Sequence, residues 1–372
     1  MSQYLWQEAQ WPHFIWDSES LIDQLAEVRL HQGLLLGKMQ SLCVELRVSG
    51  TLETLTEEAY HSAAIEGEQL SKRGIRSSLA NRLGLENEPF IAADQRAESM
   101  ASLLLDAVQR ATAPVTHERL YGWHAALFPI GYSGPYRIEV GRYRSDTTGP
   151  MQIVSGPIGR ERVHFQAPPA ERIPAEMDAL LAYLENDQSV DPMIQTGLLH
   201  LWFETIHPFD DGNGRLGRAL IDLQLTRIDG LSERYYSMSS QILRDRKGYY
   251  AQLAAAQQSE LDITDWLSWF LQTLLRAIQH ADHILGAIVQ RQHFWIGYQH
   301  LSFHPRQQRV LQKLLEDFQG KLTAAKWAKL AKSSRDTALR DIQDLIDKGV
   351  LRKTAAGGRS TAYELIHPEK ID

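Results

Sequence analysis

Apolar positions recur at helical spacing along most of this chain. Over residues 18–50 the inward positions are Leu21, Leu25, Val28, Leu35, Met39 and Leu42, which predicts one long helix with Ser18 as its N-cap. Further helices are expected over 56–67 and 94–110. Pro114 then interrupts the pattern, and Thr116 can cap a helix carrying Trp123, His124 and Leu127. Helix is expected again over 173–186 and 191–205, where Ile194, Leu198, Leu201 and Trp202 fall on one face. A loop over 207–211 leads into a helix starting near 212–214 with Leu216, Leu220 and Leu223 inward. Helical periodicity continues to about residue 292.

Two stretches break this rhythm. Residues 4–17 hold Trp6, Trp11, Phe14 and Trp16 without helical spacing, as expected of an extended arm pinned by aromatic burial. Between 131 and 169 Gly and Pro accumulate, and the β-prone runs 152–154 and 162–165 flank a turn over 155–161. That order reads as a hairpin. The expected fold class is mainly α with one small hairpin.

The C-terminal part has its own order. A short helix over 322–331 is followed by a Ser-capped helix with Leu339, Ile342, Leu345 and Ile346 inward, ended by Gly349. Strand-like runs then flank Gly357, Gly358 and Arg359. Helix–turn–helix followed by a two-stranded hairpin resembles a winged helix, with Ser334, Arg335, Thr337 and Arg340 outward on the recognition helix and Arg359 in the wing. Charge supports a division here. Residues 301–372 carry 14 Lys/Arg against 9 Asp/Glu, leaving 25 against 37 elsewhere. A basic tail is a candidate for DNA. Because Asp341, Asp344 and Asp347 dilute that helix, a role in protein contact or dimerisation stays open.

Length and composition narrow the class. The 372 residues allow two or three domains, and 43% hydrophobic with 23% charged residues is ordinary for a globular protein. No run approaches the ~20 apolar residues of a membrane span, so no membrane partner is expected. The N-terminus has neither the basic start nor the apolar core of a secretory leader, and a cytoplasmic location is expected. Cys43 is the single cysteine, which excludes an internal disulfide and a multi-cysteine metal cluster.

The chemistry concentrates in His207-Pro208-Phe209-Asp210-Asp211-Gly212-Asn213-Gly214-Arg215-Leu216-Gly217-Arg218. Gly212, Asn213 and Gly214 form a turn whose backbone N–H groups, at a helix N-terminus, favour phosphate. Arg215 and Arg218 are three apart and can face one side of that helix, with guanidinium forks suited to phosphate oxygens. Asp211 is a hard oxygen ligand where Mg²⁺ is usually held, with Mn²⁺ as an alternative. His207 can remove a proton from an attacking hydroxyl.

This stretch matches the signature of the Fic family, His-x-Phe-x-(Asp/Glu)-Gly-Asn-Gly-Arg-x-x-Arg, at every specified position. The upstream 200–206 stretch, Gly141-Arg142-Tyr143-Arg144, and the downstream Ser240, Ile242, Tyr249, Tyr250, Leu253 and Trp266 also resemble that family. The resemblance covers residues 55–280. It implies a Fic-type helical core over 51–290, with a hairpin flap near 150–166, an accessory region over 1–50 and a winged helix over 300–372. It further implies a protein adenylyltransferase: AMP moves from ATP to a Ser, Thr or Tyr hydroxyl of a target protein or of the chain itself. His207 would be the base, Asp211 the metal ligand, and Gly212, Asn213, Gly214, Arg215, Arg218, Tyr249 and Tyr250 would hold the nucleotide.

Ser62, Glu66 and Gly67 are, by spacing alone, neighbours at a helix end with Gly67 as the C′ residue. Beside a Fic signature they resemble the inhibitory helix of autoinhibited members, in which the glutamate pairs with the second arginine, here Arg218. The 152–165 hairpin reads either as an ordinary edge hairpin or as the flap on which the target adds a strand. Three other functions remain open: a DNA-binding regulator whose core senses nucleotide, the same site removing AMP, and a donor other than ATP. Many autoinhibited relatives are dimers, so a homodimer is a further expectation.

Overall fold

In the computed structural model the described residues are 3–85, 91, 93–147, 149–155, 160, 162–186, 189–316, 318, 320–354 and 361–367. The hairpin turn at 156–159 and Arg359 lie outside them. The chain forms two compact units, Met1–Ala281 and Asp282–Asp372.

The first unit is built of helices α1 (Ser18–Gln40), α2 (Val44–Ile65), α3 (Lys72–Arg82), α4 (Gln95–Gln109), α5 (His117–Leu127), α6 (Ile173–Asn186), α7 (Pro192–Ile206), α8 (Asn213–Asp229), α9 (Met238–Arg244) and α10 (Arg246–Gln257), with most of α11 (Thr264–Gly297). The fold is mainly helical. From Met193 to Ile206 every residue of α7 is buried, and α7 packs against α6, α8 and α10. Burial on every side marks α7 as the central helix, and it takes Gln195, Thr196, His200, Glu204 and Thr205 inside along with the apolar residues. Trp266 Nε1 donates to the Gly197 carbonyl at 2.8 Å, which ties α11 to α7 at a point where no side chain intervenes.

The single helix expected over 18–50 is two. Asp17, not Ser18, caps α1, accepting from the Glu19 and Ser20 amides, because a carboxylate reaches both free N–H groups. At the other end Ser41 Oγ donates to the Lys38 carbonyl at 2.7 Å, a local bond that competes with helix continuation. The chain restarts at Val44, so α2 begins twelve residues before the expected position 56 and runs without a break to Ile65. Helix α3 was not expected from periodicity; Ser71 caps it through the Gly74 amide.

The sequence expected one hairpin in the first unit, and the described residues of that unit hold two. The short pair β1 (Tyr132–Ser133) and β2 (Tyr136–Arg137) turns at Gly134-Pro135. The longer pair β3 (Gln152–Ser155) and β4 (Arg162–Gln166) is antiparallel, with Ile153 opposite Phe165 and Val154 opposite Val163. The two-versus-one count there is a bulge with His164 as the extra residue of β4, its carbonyl accepting from Gln258 Nε2 at 2.7 Å. The N-terminal arm holds this hairpin. Tyr4 and Trp6 are buried against Phe165, and Trp6 Nε1 donates to the Gln166 carbonyl at 2.7 Å. Trp11 and Phe14 meet Trp202 edge to face, as the aromatic spacing implied.

The second unit holds α12 (Pro305–Glu316), α13 (Ala324–Ala331), α14 (Arg335–Asp347) and the antiparallel pair β5 (Leu351–Lys353) and β6 (Tyr363–Leu365). Trp327, Ile342, Leu345 and Val350 lie in its core. Among the described residues no helix is long and apolar enough to cross a membrane.

The α7–α11 contact yields a stability prediction. A Cβ on Gly197 would lie 2.9 Å from Phe270 Cδ1 and 3.1 Å from Leu267 Cδ2, both on α11. Gly197→Ala should lower the free energy of unfolding by about 1–3 kcal/mol through overpacking, measurable by denaturant titration.

Candidate active site

The loop between α7 and α8 is held by backbone contacts that begin at its first residue. His207 ends α7 in the left-handed region, φ 50° and ψ 60°, a conformation that costs a non-glycine residue energy. Arg144 secures it: Nε donates to the His207 carbonyl at 2.8 Å and the Arg144 amide donates to the Pro208 carbonyl at 2.9 Å. Asn213 closes the loop on itself. Its Oδ1 accepts from the Phe209 amide at 3.0 Å and its Nδ2 donates to the Phe209 carbonyl at 2.8 Å. Phe209 is wholly buried and stacks on His124 at 4.4 Å between ring centres.

Gly212 precedes α8 with φ 82°, and a Cβ there would meet Phe128 Cε2 at 2.9 Å. It offers no capping side chain, so the first N–H groups of α8 remain available to an anion. Asp211 projects at this end. Its carboxylate accepts from the Gly212 amide and Ser133 Oγ, and it lies 3.5 Å from Arg215 Nη2. Among the described residues no group of three or more His, Cys, Asp or Glu is arranged to hold a metal.

Both signature arginines are buried and paired with carboxylates that follow α2. Arg215 Nη1 contacts Glu68 Oε1 at 2.6 Å. Arg218, 1% exposed, donates from Nε to Ser62 Oγ at 2.9 Å and from Nη2 to the Ser62 carbonyl and to Glu66 Oε1, each at 2.8 Å. Burial works against its charge, but Glu66 and other nearby acidic groups more than offset this and raise its pKa. The Glu66 carboxylate lies where a Cβ on Gly214 would stand, over the first turn of α8. Gly67, at φ 83°, turns the chain just beyond.

The predicted tyrosines divide. Tyr250 reaches the open side and donates to Glu66 Oε2 and the Ile65 carbonyl, each at 3.4 Å. Tyr249 is buried behind the loop against His200 and Trp269.

Several contributing residues had no role assigned from sequence. His124 donates from Nε2 to the Asp211 carbonyl and accepts from the Gly141 amide, both at 3.2 Å; burial pushes its pKa down to about 4, so the ring is neutral. His200 and Glu204 lie at i and i+4 on the face of α7 that meets α8, a spacing visible in the sequence once that helix is placed. Burial drives His200 down to about 3 and Glu204 up to about 8. His207 is also depressed, to about 4, by burial and then by the Arg144 charge.

Comparison with known proteins follows the same stretch. A model of the Fic/DOC family matches residues 114–225, and a domain of unknown function, DUF4172, matches 4–85. A probable protein adenylyltransferase of Aquifex aeolicus is 30% identical over 104 residues, 28% of this chain and 30% of its own length. The protein adenylyltransferase Fic of Nematostella vectensis is 26% identical over 220 residues, 56% of this chain and 45% of its own length. The match thus spans less than half of each of these relatives. A Fic family protein from Desulfovibrio desulfuricans has a similar fold, with a TM-score of 0.55, 22% identity and coverage of 95% of this chain and 98% of that one. A Fic domain containing signaling protein from Bacteroides thetaiotaomicron gives a TM-score of 0.51 at 22% identity, covering 68% of this chain and 96% of that one.

The buried imidazole makes a direct prediction. The His207 ring should titrate by NMR with a midpoint near 4 and stay neutral from pH 5 to 8; a midpoint near the ordinary 6.5 would show a ring open to water. The loop described above lies within residues 114–225, the stretch that the Fic/DOC family model matches.

Proposed function

We propose that this chain is a protein adenylyltransferase that transfers AMP from ATP to a hydroxyl side chain and is restrained by its own Glu66. The observation that carries this reading is the convergence at one helix start of a mostly buried imidazole, a partly exposed carboxylate, open backbone N–H groups and two guanidinium groups. The names of the matched relatives support it.

In this mechanism the N–H groups at the start of α8 and Arg215 bind the phosphates, once Glu68 has released Arg215. Arg218 takes the γ-phosphate. Asp211, a partly open carboxylate, would hold Mg²⁺ or Mn²⁺, which would supply charge neutralisation on the phosphates. The target hydroxyl gives its proton to His207, its oxygen bonds to Pα, and the Pα–O bond to pyrophosphate breaks. Base catalysis contributes ~10²–10⁴-fold, and positioning and charge supply the rest.

Target docking is proposed for the β3–β4 hairpin. A cleft of about 500 Å³ lined by Arg144, Asp146, Met151, Gln152, Val163 and Asp210 adjoins the loop. Ile153, Val154 and Val163 are exposed on the hairpin, which suits addition of an extended segment.

The restraint follows from charge. With Glu66 on Arg218 and over Gly214, the space needed by the terminal phosphate is filled. Glu66→Gly should raise AMP transfer by about 10-fold or more, given the ~1.5–3 kcal/mol of a hydrogen bond to a charged group. Labelled ATP, divalent cation and cell lysate test this with wild type, Glu66→Gly and His207→Ala. Equal labelling by the first two removes the restraint, and labelling by the third removes the proposed base.

A second activity, DNA binding through a C-terminal winged helix, is favoured by one observation. The aspartates of α14 that dilute its charge are engaged internally: Asp341 by Arg306 at 2.7 Å, Asp344 by Lys348 at 2.7 Å and Asp347 by Gln343 at 2.8 Å. Ser334, Arg335 and Arg340 stay exposed. The whole chain should retard duplex DNA with an affinity that falls steeply with salt, and Arg335→Ala with Arg340→Ala should reduce that slope by about two; unchanged mobility at low salt rejects this activity.

A further inference from the structure

Two buried polar atoms of neighbouring side chains at the end of α7 lack partners. His207 Nδ1 has no hydrogen-bond partner, and neither does Glu204 Oε1. Glu204 Oε2 lies 4.0 Å from His207 Nδ1, with the Glu204 side chain 6% exposed. Glu204 stands in the last turn of α7 and His207 is the left-handed residue that ends it, three positions on. Buried polar atoms are rarely left unsatisfied, because each costs about 1–3 kcal/mol. A shift of about 1 Å, within the reach of one side-chain torsion, brings this pair to hydrogen-bond distance.

We propose that Glu204 is the positioning residue for His207: its carboxyl accepts a hydrogen bond from Nδ1–H and thereby presents the Nε2 lone pair to the incoming hydroxyl. This rests on the reading of His207 as the base. The hydroxyl proton then goes to Nε2, and Nδ1 keeps its own.

A carboxyl oxygen accepts whether the group is ionised or not, so the role does not require charge on Glu204. That matters here, because burial holds Glu204 protonated up to about pH 8, with Glu66 adding to the effect and Arg218 opposing it. Other charges act on the ring without selecting its tautomer: Arg144 from the loop that precedes β3, Asp211 from the following loop and Glu66 from the end of α2. The Glu204 backbone carbonyl also favours a protonated ring, but no substitution removes it, so side-chain variants isolate the carboxyl. The neighbours on the other side of Glu204 are His200 and Arg218, whose Nδ1 and Nη1 are likewise without partners.

The test combines a spectroscopic and a kinetic measurement on the full chain. Nitrogen-15 NMR at pH 7, with His207 assigned by comparison with His207→Ala, reports the tautomer directly. The wild-type ring should carry its proton on Nδ1; a proton on Nε2 overturns the proposal whatever the variants do. Glu204→Leu and the more flexible Glu204→Met should move the ring toward the Nε2–H form. In a Glu66→Gly background they should also lower kcat for AMP transfer by about 10²-fold with KM for ATP unchanged. Glu204→Gln keeps an acceptor oxygen and should retain the tautomer, with kcat within a few-fold of the parent. An unchanged tautomer and kcat in the Leu and Met variants would overturn the proposal. Absence of AMP transfer from every variant and from the parent would count against the adenylyltransferase reading, while the NMR result would still decide the role of Glu204.

Discussion

Arg218 carries a charge at 1% exposure, and a buried guanidinium persists only beside groups that offset its desolvation. Ser62 meets it twice and Glu66 once, and all three contacts come from the end of α2. An arginine on α8 therefore dictates where a helix about 150 residues earlier must stop. This explains why α2 ends at Ile65 and turns sharply through Gly67: the carboxylate of the terminating residue has to reach back over α8. Arg215 and Glu68 repeat the arrangement one turn earlier, so the segment after α2 is attached at two points of the same helix start.

The glycines of the loop follow from what must lie against them. At Gly212 the backbone is left-handed and Phe128 is in van der Waals contact. At Gly214 the space belongs to the Glu66 carboxylate, and at Gly217 a Cβ would stand 2.6 Å from Glu204 Oε1 and 3.2 Å from His200. Side chains at these positions would push Phe128 and the Glu66 carboxylate off the start of α8 or separate α8 from α7. The same backbone positions thus serve packing on both sides of the helix start.

Burial also sets the state of the ionisable groups. Three histidines around the loop, His124, His200 and His207, are held neutral at physiological pH, and Glu204 is held protonated. A neutral imidazole has a free lone pair for an incoming proton, which is the state a base requires. The charges that remain in the site are those of the arginines and their carboxylate partners, joined by charge-assisted hydrogen bonds.

Much of this was present in the residues taken alone. Helical spacing, the Asp94, Thr116 and Asp191 caps, and the hairpin around 155–161 are local effects, decided by neighbours within a few positions. The run from His207 to Arg218 is local as well, since one turn and one helix start place all its groups. The division of α1 from α2 was hidden because a serine side chain, which periodicity does not register, ends the first helix. What lies against that run is set by tertiary structure, and of these partners only the Glu66–Arg218 pair was suggested beforehand, by family resemblance and not by spacing. Ser62 and Glu66 meet Arg218 across 156 and 152 positions of chain, and Arg144 locks a strained His207 from 63 positions away. Spacing in sequence carries no information about such pairs, because their free energy comes from excluding water around groups that only the folded core brings together.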